Sequence, residues 1–509
     1  MYSVVSTAVI HGITSLPVYV EADVSDGMPI FEMVGFLSSE VKEAKERVRT
    51  ALRNSGYVLP LKRITVNFVP ANIKKTGSGF DLPVALAILA AVGLVPSESL
   101  KDLLVVGEVS LSGSIRPVSG ILPMVAEAKE RGITRCMIPV ENLREARLVT
   151  EMQIFAVESI QEMMRILNGE EYKEKQVKDP EEAEMEKQVD FSDIHGQKLV
   201  KRACEVAVSG MHNLLMIGPP GAGKTMAAMR IPTILPGLLE EEQMELTKIY
   251  SVCGMFGKRE KLMDVRPFRC PHHTITPQGL VGGGVIPRPG EISLAHKGVL
   301  FLDELPEFQK NTLEILRQPL EVKVASLVRG SGNFEYPADF MLVAAMNPCR
   351  CGYYPDMQKC HCTSVSIERY INRISQPLLD RIDICVEAEQ ILYEDLTKEQ
   401  KEESSAQIRE RVVHVHEIEK RRYAEENFCY NSQIPAAKIK KYCSLSDAQE
   451  KYMKKIYKQL DLTARSYHKI LKTARTIADM DDCGEIKNRH LNEAVCYRNI
   501  DKKFWENAL

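Results

Sequence analysis

A glycine-rich run between a short apolar segment and a helical segment limits the folds that are open to this chain. The apolar segment covers residues 214–217, and the helical segment begins at Met226. The run between them matches G-x-x-x-x-G-K-[ST] and consists of Gly218, Pro219, Pro220, Gly221, Ala222, Gly223, Lys224 and Thr225. Glycines let backbone amides turn toward a phosphate, the lysine reaches the β- and γ-phosphates, and the threonine hydroxyl ligates Mg²⁺. The pattern predicts a nucleoside triphosphate site in an α/β domain.

Two later apolar segments end in polar side chains that suit hydrolysis. The segment 298–302 is followed by Asp303, which suits the Mg²⁺ shell, and by Glu304, which suits the base that polarises the attacking water. The segment 340–346 is followed by Asn347, whose amide can hold that water or the γ-phosphate. These residues predict ATP hydrolysis rather than nucleotide binding alone.

Two arginines complete an ordered set of motifs. Arg381 lies in the run 377–383 and is a candidate for the finger that stabilises transition-state charge. Arg465 lies at the start of a helical segment, from which it could contact the γ-phosphate. Taken alone, an arginine in such a place more often belongs to a surface ion pair, but membership of the ordered set favours a function in hydrolysis.

The ordered set resembles the AAA+ ATPases, and within them the YifB/ComM family of the magnesium-chelatase-like branch. The resemblance covers essentially the whole chain. It is carried by four runs, D-I-H-G-Q at 193–197, R-P-F-R-C-P-H-H-T at 266–274, P-R-P-G-E-I-S-L-A-H at 287–296 and F-L-D-E-L-P-E-F at 301–308.

The resemblance implies roles for the residues that match the family's motifs. Asp303 and Glu304 would form the Walker B pair and Asn347 would be sensor 1. Arg381 would be the arginine finger and Arg465 would be sensor 2. The resemblance also implies a homo-hexameric ring, in which Arg381 reaches the ATP of the neighbouring subunit. The residues that it places near the adenine are Ile194, Gly196 and Gln197.

Composition predicts three folded parts and a linker. Residues 1–167 are expected to form one α/β domain, and residues 190–389 a second α/β domain with the P-loop. The segment 168–189 is rich in Glu, Lys and Gln and predicts a linker, although an exposed charged helix would have the same composition. Residues 390–509 interleave charged and apolar residues and predict a helical lid. In the first domain the expected strands are 64–68 and 103–106, and the expected helices are 41–52, 82–92 and 121–131.

The N-terminal domain resembles the Lon protease domain in the runs 107–118 and 75–83. Lon proteolysis needs a serine and a lysine within reach of each other. In register, the serine position falls near Gly79 or Phe80 and the lysine position near Leu122, so both groups are missing. We expect a domain that serves assembly or DNA contact. The alternative is a different dyad of Ser78 with Lys74 or Lys75.

A long insertion at 271–296 separates the two Walker strands, and in this branch such insertions point into the central pore. Its glycine density predicts a mobile loop. A hairpin with strands from Val322 to Arg329 and through Phe340, and a turn at 330–333, resembles the branch's pre-sensor hairpin. Arg288 and Arg329 would contact the phosphates of DNA in the pore. The insertion also carries His272 and His273, to which no metal is assigned and which could be packing or hydrogen-bonded turn residues.

Four of the 13 cysteines are regularly spaced, as Cys349, Cys351, Cys360 and Cys362. Four thiolates from one short loop can close a tetrahedral Zn²⁺ site, although C-x-C is tighter than the usual C-x₂-C spacing. The alternative is four free thiols. Most of the cysteines are expected to be buried structural thiols without disulfides, because we predict a cytoplasmic protein and thiols stay reduced in the cytoplasm. That prediction rests on an N-terminus without signal-peptide features and on the lack of an apolar run that could span a membrane.

Three functions compete on this sequence. The first, favoured by the resemblance and the fused Lon-like domain, is a hexameric ATP-driven DNA motor of helicase or branch-migration type. It would act on single-stranded or branched DNA during recombination or natural transformation. The formal net charge of −3 gives no general attraction to DNA, so a local basic surface must bind it. The alternatives are a chelatase-like ATPase that remodels a protein partner and an ATP-dependent protease.

Overall fold

The computed structural model describes residues 1–175, 189–257, 259, 261–284, 286–329, 332–390 and 402–505. Most of the predicted linker, Gly330 and Ser331 of the predicted hairpin turn, and the first residues of the predicted lid after residue 390 lie outside the described residues. Among the described residues, no helix combines the length and the apolar character that crossing a membrane requires.

The N-terminal part is an α/β unit built on a seven-stranded mixed sheet. Its strands are β1 (Tyr2–His11), β2 (Thr14–Ser25), β3 (Phe31–Val34), β4 (Arg63–Val69), β5 (Leu103–Val105), β6 (Glu108–Val109), β7 (Ile115–Arg116), β8 (Arg135–Pro139) and β9 (Gln153–Val157). Its helices are α1 (Ser39–Asn54), α2 (Asp81–Ala91), α3 (Ile121–Glu130), α4 (Leu143–Ala146) and α5 (Ile160–Leu167). The sheet order is β3-β4-β2-β1-β5-β8-β9, and β6 pairs with β7 separately.

The strands and helices expected in this part are confirmed, with ends within two residues of those predicted. Helix α2 carries only apolar residues after Asp81, and it is buried nearly all round because it crosses the inner face of the sheet beside α1. Asp81 is itself buried, and its carboxylate accepts two hydrogen bonds of 2.9 Å from the Arg47 guanidinium. The pair satisfies a charge that would otherwise be costly to bury.

The central part is a second α/β unit with a five-stranded sheet. Its strands are β10 (Leu214–Ile217), β11 (Phe268–Arg269), β12 (Gly282–Gly283), β13 (Arg288–Pro289), β14 (Val299–Leu302), β15 (Val324–Arg329), β16 (Gly332–Pro337), β17 (Met341–Met346) and β18 (Ile384–Glu387). Its helices are α6 (Lys198–Ser209), α7 (Lys224–Ile234), α8 (Glu240–Val252), α9 (Pro277–Val281), α10 (Glu291–Leu294), α11 (Lys310–Ile315), α12 (Arg317–Val322), α13 (Ser364–Ile371) and α14 (Gln376–Leu379).

The central sheet is parallel, with the order β11-β14-β17-β10-β18. Strands β10, β14 and β17 are entirely apolar and buried, as strands covered on both faces must be. Because they are adjacent and parallel, the residues that follow them meet at one edge of the sheet. Two antiparallel pairs, β12 with β13 and β15 with β16, lie outside this sheet.

The C-terminal part is helical, as predicted. Its helices are α15 (Ser405–Arg422), α16 (Ile439–Tyr442), α17 (Asp447–Gln459), α18 (Ala464–Met480) and α19 (Asn488–Trp505). Ile408 and Val412 of α15 share one apolar core with Ala227 and Ile231 of α7. The helical part therefore packs directly on the helix that follows the glycine-rich run.

Candidate active site

Residues 218–223 of the glycine-rich run form the loop between β10 and α7, and the last two residues of the run begin α7, so the predicted strand–loop–helix is confirmed. Gly221 and Gly223 have φ of +77° and +79°, the left-handed region that favours glycine. A Cβ at Gly218 would lie 2.2 Å from the carbonyl oxygen of Ala388, so that position also requires glycine. The backbone amides at the start of α7 can therefore face a phosphate, as helix N-termini commonly do.

Lys224 is the first residue of α7, and its buried side chain folds back onto the loop. Its ammonium donates to the carbonyl oxygens of Gly218 at 2.7 Å and Pro219 at 2.8 Å, and to Oδ1 of Asn347 at 3.0 Å. Burial lowers the pKa of Lys224 to about 8, and the charge of Asp303 opposes that shift. The loop and the end of β17 are thus joined through one side chain.

Thr225 and the acidic pair meet at the same edge of the sheet. The Thr225 hydroxyl donates to Oδ2 of Asp303 at 2.7 Å, and the amide of Glu304 donates to Oδ1 at 2.9 Å. A hydroxyl and a carboxylate at this separation are oxygen ligands of the kind that Mg²⁺ takes. The residues present therefore fit a magnesium ion beside the loop.

Glu304 lines a cavity of about 390 Å³ together with the phosphate-binding loop, Asp303 and Asn347. Its φ of +50° is in the left-handed region, which is strained for a residue with a side chain. Its side chain is 59% exposed and its carboxylate faces a histidine, with Oε2 of Glu304 3.6 Å from Nδ1 of His273. Glu304 therefore lines the cavity from a strained backbone position.

The three residues expected near the adenine are not among the described residues that line this cavity, although one of them contacts the loop. The Gln197 amide donates to the carbonyl oxygen of Ala222 at 3.1 Å. The Gly196 amide donates to Glu402 at 3.1 Å, and that carboxylate also pairs with a lysine of α6. Ile194 is buried. The segment before α6 thus connects the loop to the helical part.

The two arginines lie elsewhere. Neither Arg381 nor Arg465 is among the described residues that line the cavity at Lys224. Both line a separate cavity of about 760 Å³ near Glu321. Arg381 pairs with Glu321 and donates to the carbonyl oxygen of Arg317 at 2.8 Å, while Nη2 of Arg465 is 4.0 Å from Oε1 of Glu321. The structure therefore brings the two arginines to each other and not to Lys224 of their own chain.

The insertion runs from the hydrolysis residues to a basic surface. It contains α9, the β12–β13 pair and α10, and Arg288 on β13 is exposed. A Cβ at Gly283 would lie 3.3 Å from Nη2 of Arg329, and the Tyr336 hydroxyl donates to the carbonyl oxygen of Pro287 at 2.9 Å. The insertion and the β15–β16 hairpin therefore form one surface, which also contacts β1, since the rings of His11 and Phe334 are 4.8 Å apart.

The two histidines of the insertion differ in their surroundings. His272 is a hydrogen-bonded turn residue, with its Nδ1 2.9 Å from Oγ1 of Thr274. The ring of His273 is tilted against that of His272, with 4.1 Å between the ring centroids, and it faces Glu304. Sequence reasoning missed the contact with Glu304, because the two residues are separated along the chain and only the pairing of β11 with β14 brings them together.

The cysteine cluster is compact. The sulfur atoms of Cys349, Cys351, Cys360 and Cys362 all lie within 4.8 Å of one another. Cys349 and Cys360 are buried, and the other two are half-buried. The regular spacing in the sequence thus corresponds to one convergent group of four thiols beside the end of β17.

In the Lon-like segment, Ser78 and Lys75 have separate hydrogen-bond partners. Lys75 is fully buried and donates to the carbonyl oxygen of Pro70, while Ser78 donates to Glu108. Gly79 stands against Val106, and Leu122 is buried in α3. A serine nucleophile needs a base that removes its proton, and here Ser78 is paired with an acidic side chain instead of Lys75.

We expect the purified protein to leave casein intact in the presence of ATP and Mg²⁺. Ser78→Ala should change nothing, because Lys75 does not contact that hydroxyl. Release of fluorescent fragments from labelled casein is the measurement. A degradation rate that the wild-type protein shows and Ser78→Ala abolishes would contradict this interpretation.

Family models built from known proteins match three regions of the chain. The family model described as magnesium chelatase, subunit ChlI, matches residues 190–396. Models for subunit ChlI of Mg-chelatase and for the ChlI C-terminal region match residues 20–142 and 402–498.

Full-length relatives carry two names. YifB of Salmonella typhimurium is 40% identical over 506 residues, which cover 98% of each chain. Competence protein ComM of Haemophilus influenzae is 40% identical over 498 residues, 96% of this chain and 95% of that protein. Lon protease 2 of Bacillus subtilis is 30% identical over 127 residues, 25% of this chain and 22% of that protein. The chain therefore belongs to the YifB/ComM family of magnesium-chelatase-like AAA+ ATPases.

Proposed function

We propose that this chain is an ATP-driven DNA motor of helicase or branch-migration type that works as a homo-hexameric ring in the cytoplasm. The observation that carries the proposal is one continuous insertion. It begins beside Glu304, which His273 faces at 3.6 Å, and it continues to the exposed Arg288 next to Arg329. Such an insertion can pass a displacement at the basic surface to the residue that activates water.

The nucleotide in this proposal is ATP with Mg²⁺, which supplies positive charge to the phosphates when bound. Lys224 and the loop amides would hold the β- and γ-phosphates, and Thr225 and Asp303 would hold the metal ion. Glu304 would accept a proton from the attacking water, which Asn347 would orient. The adenine would lie near the segment that contains Ile194, Gly196 and Gln197.

The position of the arginines supports the proposed ring. Arg381 and Arg465 share Glu321 in a cavity that is separate from the one at Lys224. Phosphate transfer needs positive charge at the γ-phosphate, and an arginine from a neighbouring subunit can supply it. A head-to-tail ring would place both arginines of one subunit against the ATP of the next.

The formal net charge of −3 gives the chain no general attraction to DNA, so a local basic surface would have to bind it. Basic side chains on such a surface would contact the DNA phosphates. The surface that Arg288 and Arg329 share with the two hairpins is the candidate. The name of competence protein ComM supports a role in natural transformation, and recombination of incoming single-stranded or branched DNA fits such a role. The magnesium chelatase family models favour the second candidate, an ATPase that remodels a protein partner.

DNA-dependent ATP hydrolysis separates the two candidates. We expect single-stranded or forked DNA to raise the hydrolysis rate of the assembled protein, with duplex DNA as the comparison. A ring loaded with ATP that neither binds DNA nor hydrolyses faster with it would exclude the motor and leave the protein-remodelling ATPase.

The double variant Arg288→Ala, Arg329→Ala should lose most of the DNA stimulation and keep its basal rate within about twofold. The slope of log affinity against log salt should fall by about one for each phosphate contact removed. Arg369→Ala, which removes an exposed arginine on α13, is the matched control and should behave as wild type. Unchanged stimulation in the double variant would place the DNA site elsewhere.

A further inference from the structure

The sulfur atoms of the cysteine cluster are spaced for a single metal ion. Sγ of Cys349 lies 3.3 Å from that of Cys351 and 3.7 Å from that of Cys360, and the sulfurs of Cys351 and Cys360 are 3.5 Å apart. Four sulfurs about 2.3 Å from a tetrahedral Zn²⁺ are about 3.8 Å from one another. A disulfide would bring two sulfurs to about 2.05 Å, which none of these pairs approaches.

Backbone hydrogen bonds around the cluster help to fix the positions of the sulfur atoms. The amide of Tyr354 points at Sγ of Cys349, with 3.4 Å between the two atoms. Two backbone hydrogen bonds close the loop. The Gly352 amide donates to the carbonyl oxygen of Cys349 at 3.0 Å, and the Cys360 amide donates to that of Asp356 at 2.8 Å. Hydrogen bonds to ligand atoms fix their direction and are typical of metal sites.

The same loop touches the phosphate-binding loop. Gly352 has a φ of +87°, and a Cβ built there would lie 2.4 Å from Cδ of Pro220. Asn347, which precedes Cys349 by two residues, accepts a hydrogen bond from Lys224 at 3.0 Å. The cluster is thus connected to the nucleotide cavity both by the backbone that precedes Cys349 and by direct packing on Pro220.

We propose that Cys349, Cys351, Cys360 and Cys362 bind a structural Zn²⁺ ion, and that the metal-bound loop holds the phosphate-binding loop in place through Gly352 and Pro220. Soft thiolate ligands in a tetrahedral set select zinc, and four protein ligands leave no position for a substrate. An iron–sulfur cluster would place several iron atoms and sulfides among the cysteines, for which the space between these sulfurs is too small. The second half of the proposal rests on the proposed nucleotide site.

The metal is tested on the full-length protein purified without added metal. Elemental analysis should find about one zinc per chain. Cys349→Ser and Cys360→Ser should lose it, while Cys429→Ser, at an exposed cysteine outside the cluster, should keep it. Wild-type protein that contains no zinc, or contains iron instead, would overturn the proposal, and this result does not depend on whether the serine variants fold.

The contact with the phosphate-binding loop is tested by Gly352→Ala. The added methyl group must displace Pro220, so we expect full zinc content and a dissociation constant for a fluorescent ATP analogue raised about tenfold or more. Gly93→Ala is the matched control, because its φ of +90° gives similar backbone strain with no atom within 4 Å of the new methyl group. Tight nucleotide binding by zinc-loaded Gly352→Ala would overturn the supporting role alone. Failure of the wild-type protein to bind the analogue would instead contradict the nucleotide site.

Discussion

Glu304→Gln should bind ATP as tightly as the wild-type protein and hydrolyse it at least about 100-fold more slowly. The amide keeps the size of the side chain but cannot accept a proton from the attacking water. Lys224→Ala should fail earlier, at nucleotide binding, because it removes the ammonium at the centre of the phosphate-binding loop. Binding of a fluorescent ATP analogue and phosphate release, measured on the same samples, distinguish the two defects. The ATP-bound Glu304→Gln protein should also accumulate as an assembled ring.

Glu307→Gln provides the control for this prediction. Glu307 lies three positions further along the same loop, and its carboxylate forms a half-exposed ion pair with Arg373 at 3.0 Å. Such a pair contributes about 0–1 kcal/mol to stability, so hydrolysis should be nearly unchanged. Normal hydrolysis by Glu304→Gln would show that Glu304 is not the base and would refute its assignment to the Walker B pair.

Arg381→Ala should reduce the hydrolysis rate about 1,000-fold, with ATP binding largely kept. The guanidinium stabilises negative charge that develops only in the transition state, so its loss affects the rate more than the affinity. Arg381→Lys should recover part of the rate, because it keeps the charge but not the planar donor group. Arg373→Ala, which removes a half-exposed arginine, is the control and should retain the wild-type rate.

Mixing two inactive variants tests whether Arg381 acts on a neighbouring subunit. A subunit with Arg381→Ala still has Glu304, and a subunit with Glu304→Gln still has Arg381. In a randomly mixed ring about one interface in four would combine the two intact groups, so about a quarter of the wild-type rate should return. If Arg381 instead acted within its own chain, the mixture would stay inactive.

Much of the fold could be predicted from the sequence because the signals are local. The apolar run of β10, the glycines after it and the start of α7 are consecutive, so each residue's preference supports its neighbours' conformations. The same holds for β14 with Asp303 after it and for β17 with Asn347. Placing these residues at one edge needed only the rule that parallel strands end on the same side of a sheet.

The hairpin in the central part shows where local signals are weaker. Its strands were expected to reach from Val322 and to Phe340, but they pair only from Val324 to Arg329 and from Gly332 to Pro337. Val322 instead ends α12, and Lys323 adopts a left-handed φ of +62° before the strand begins. Val322 has the β-branched side chain favoured in strands, so propensity alone extends the hairpin too far.

The sequence by itself determined the family, the two α/β parts, the helical C-terminal part and the residue types around the phosphate-binding loop, because each depends on short, ordered patterns. Only the tertiary structure decided that Arg381 and Arg465 lie together beside Glu321, away from Lys224. It also decided two contacts that no spacing indicates, between His273 and Glu304 and between Gly352 and Pro220. These contacts join residues from different loops, and their distances follow from the sheet order and from side-chain packing rather than from any local preference.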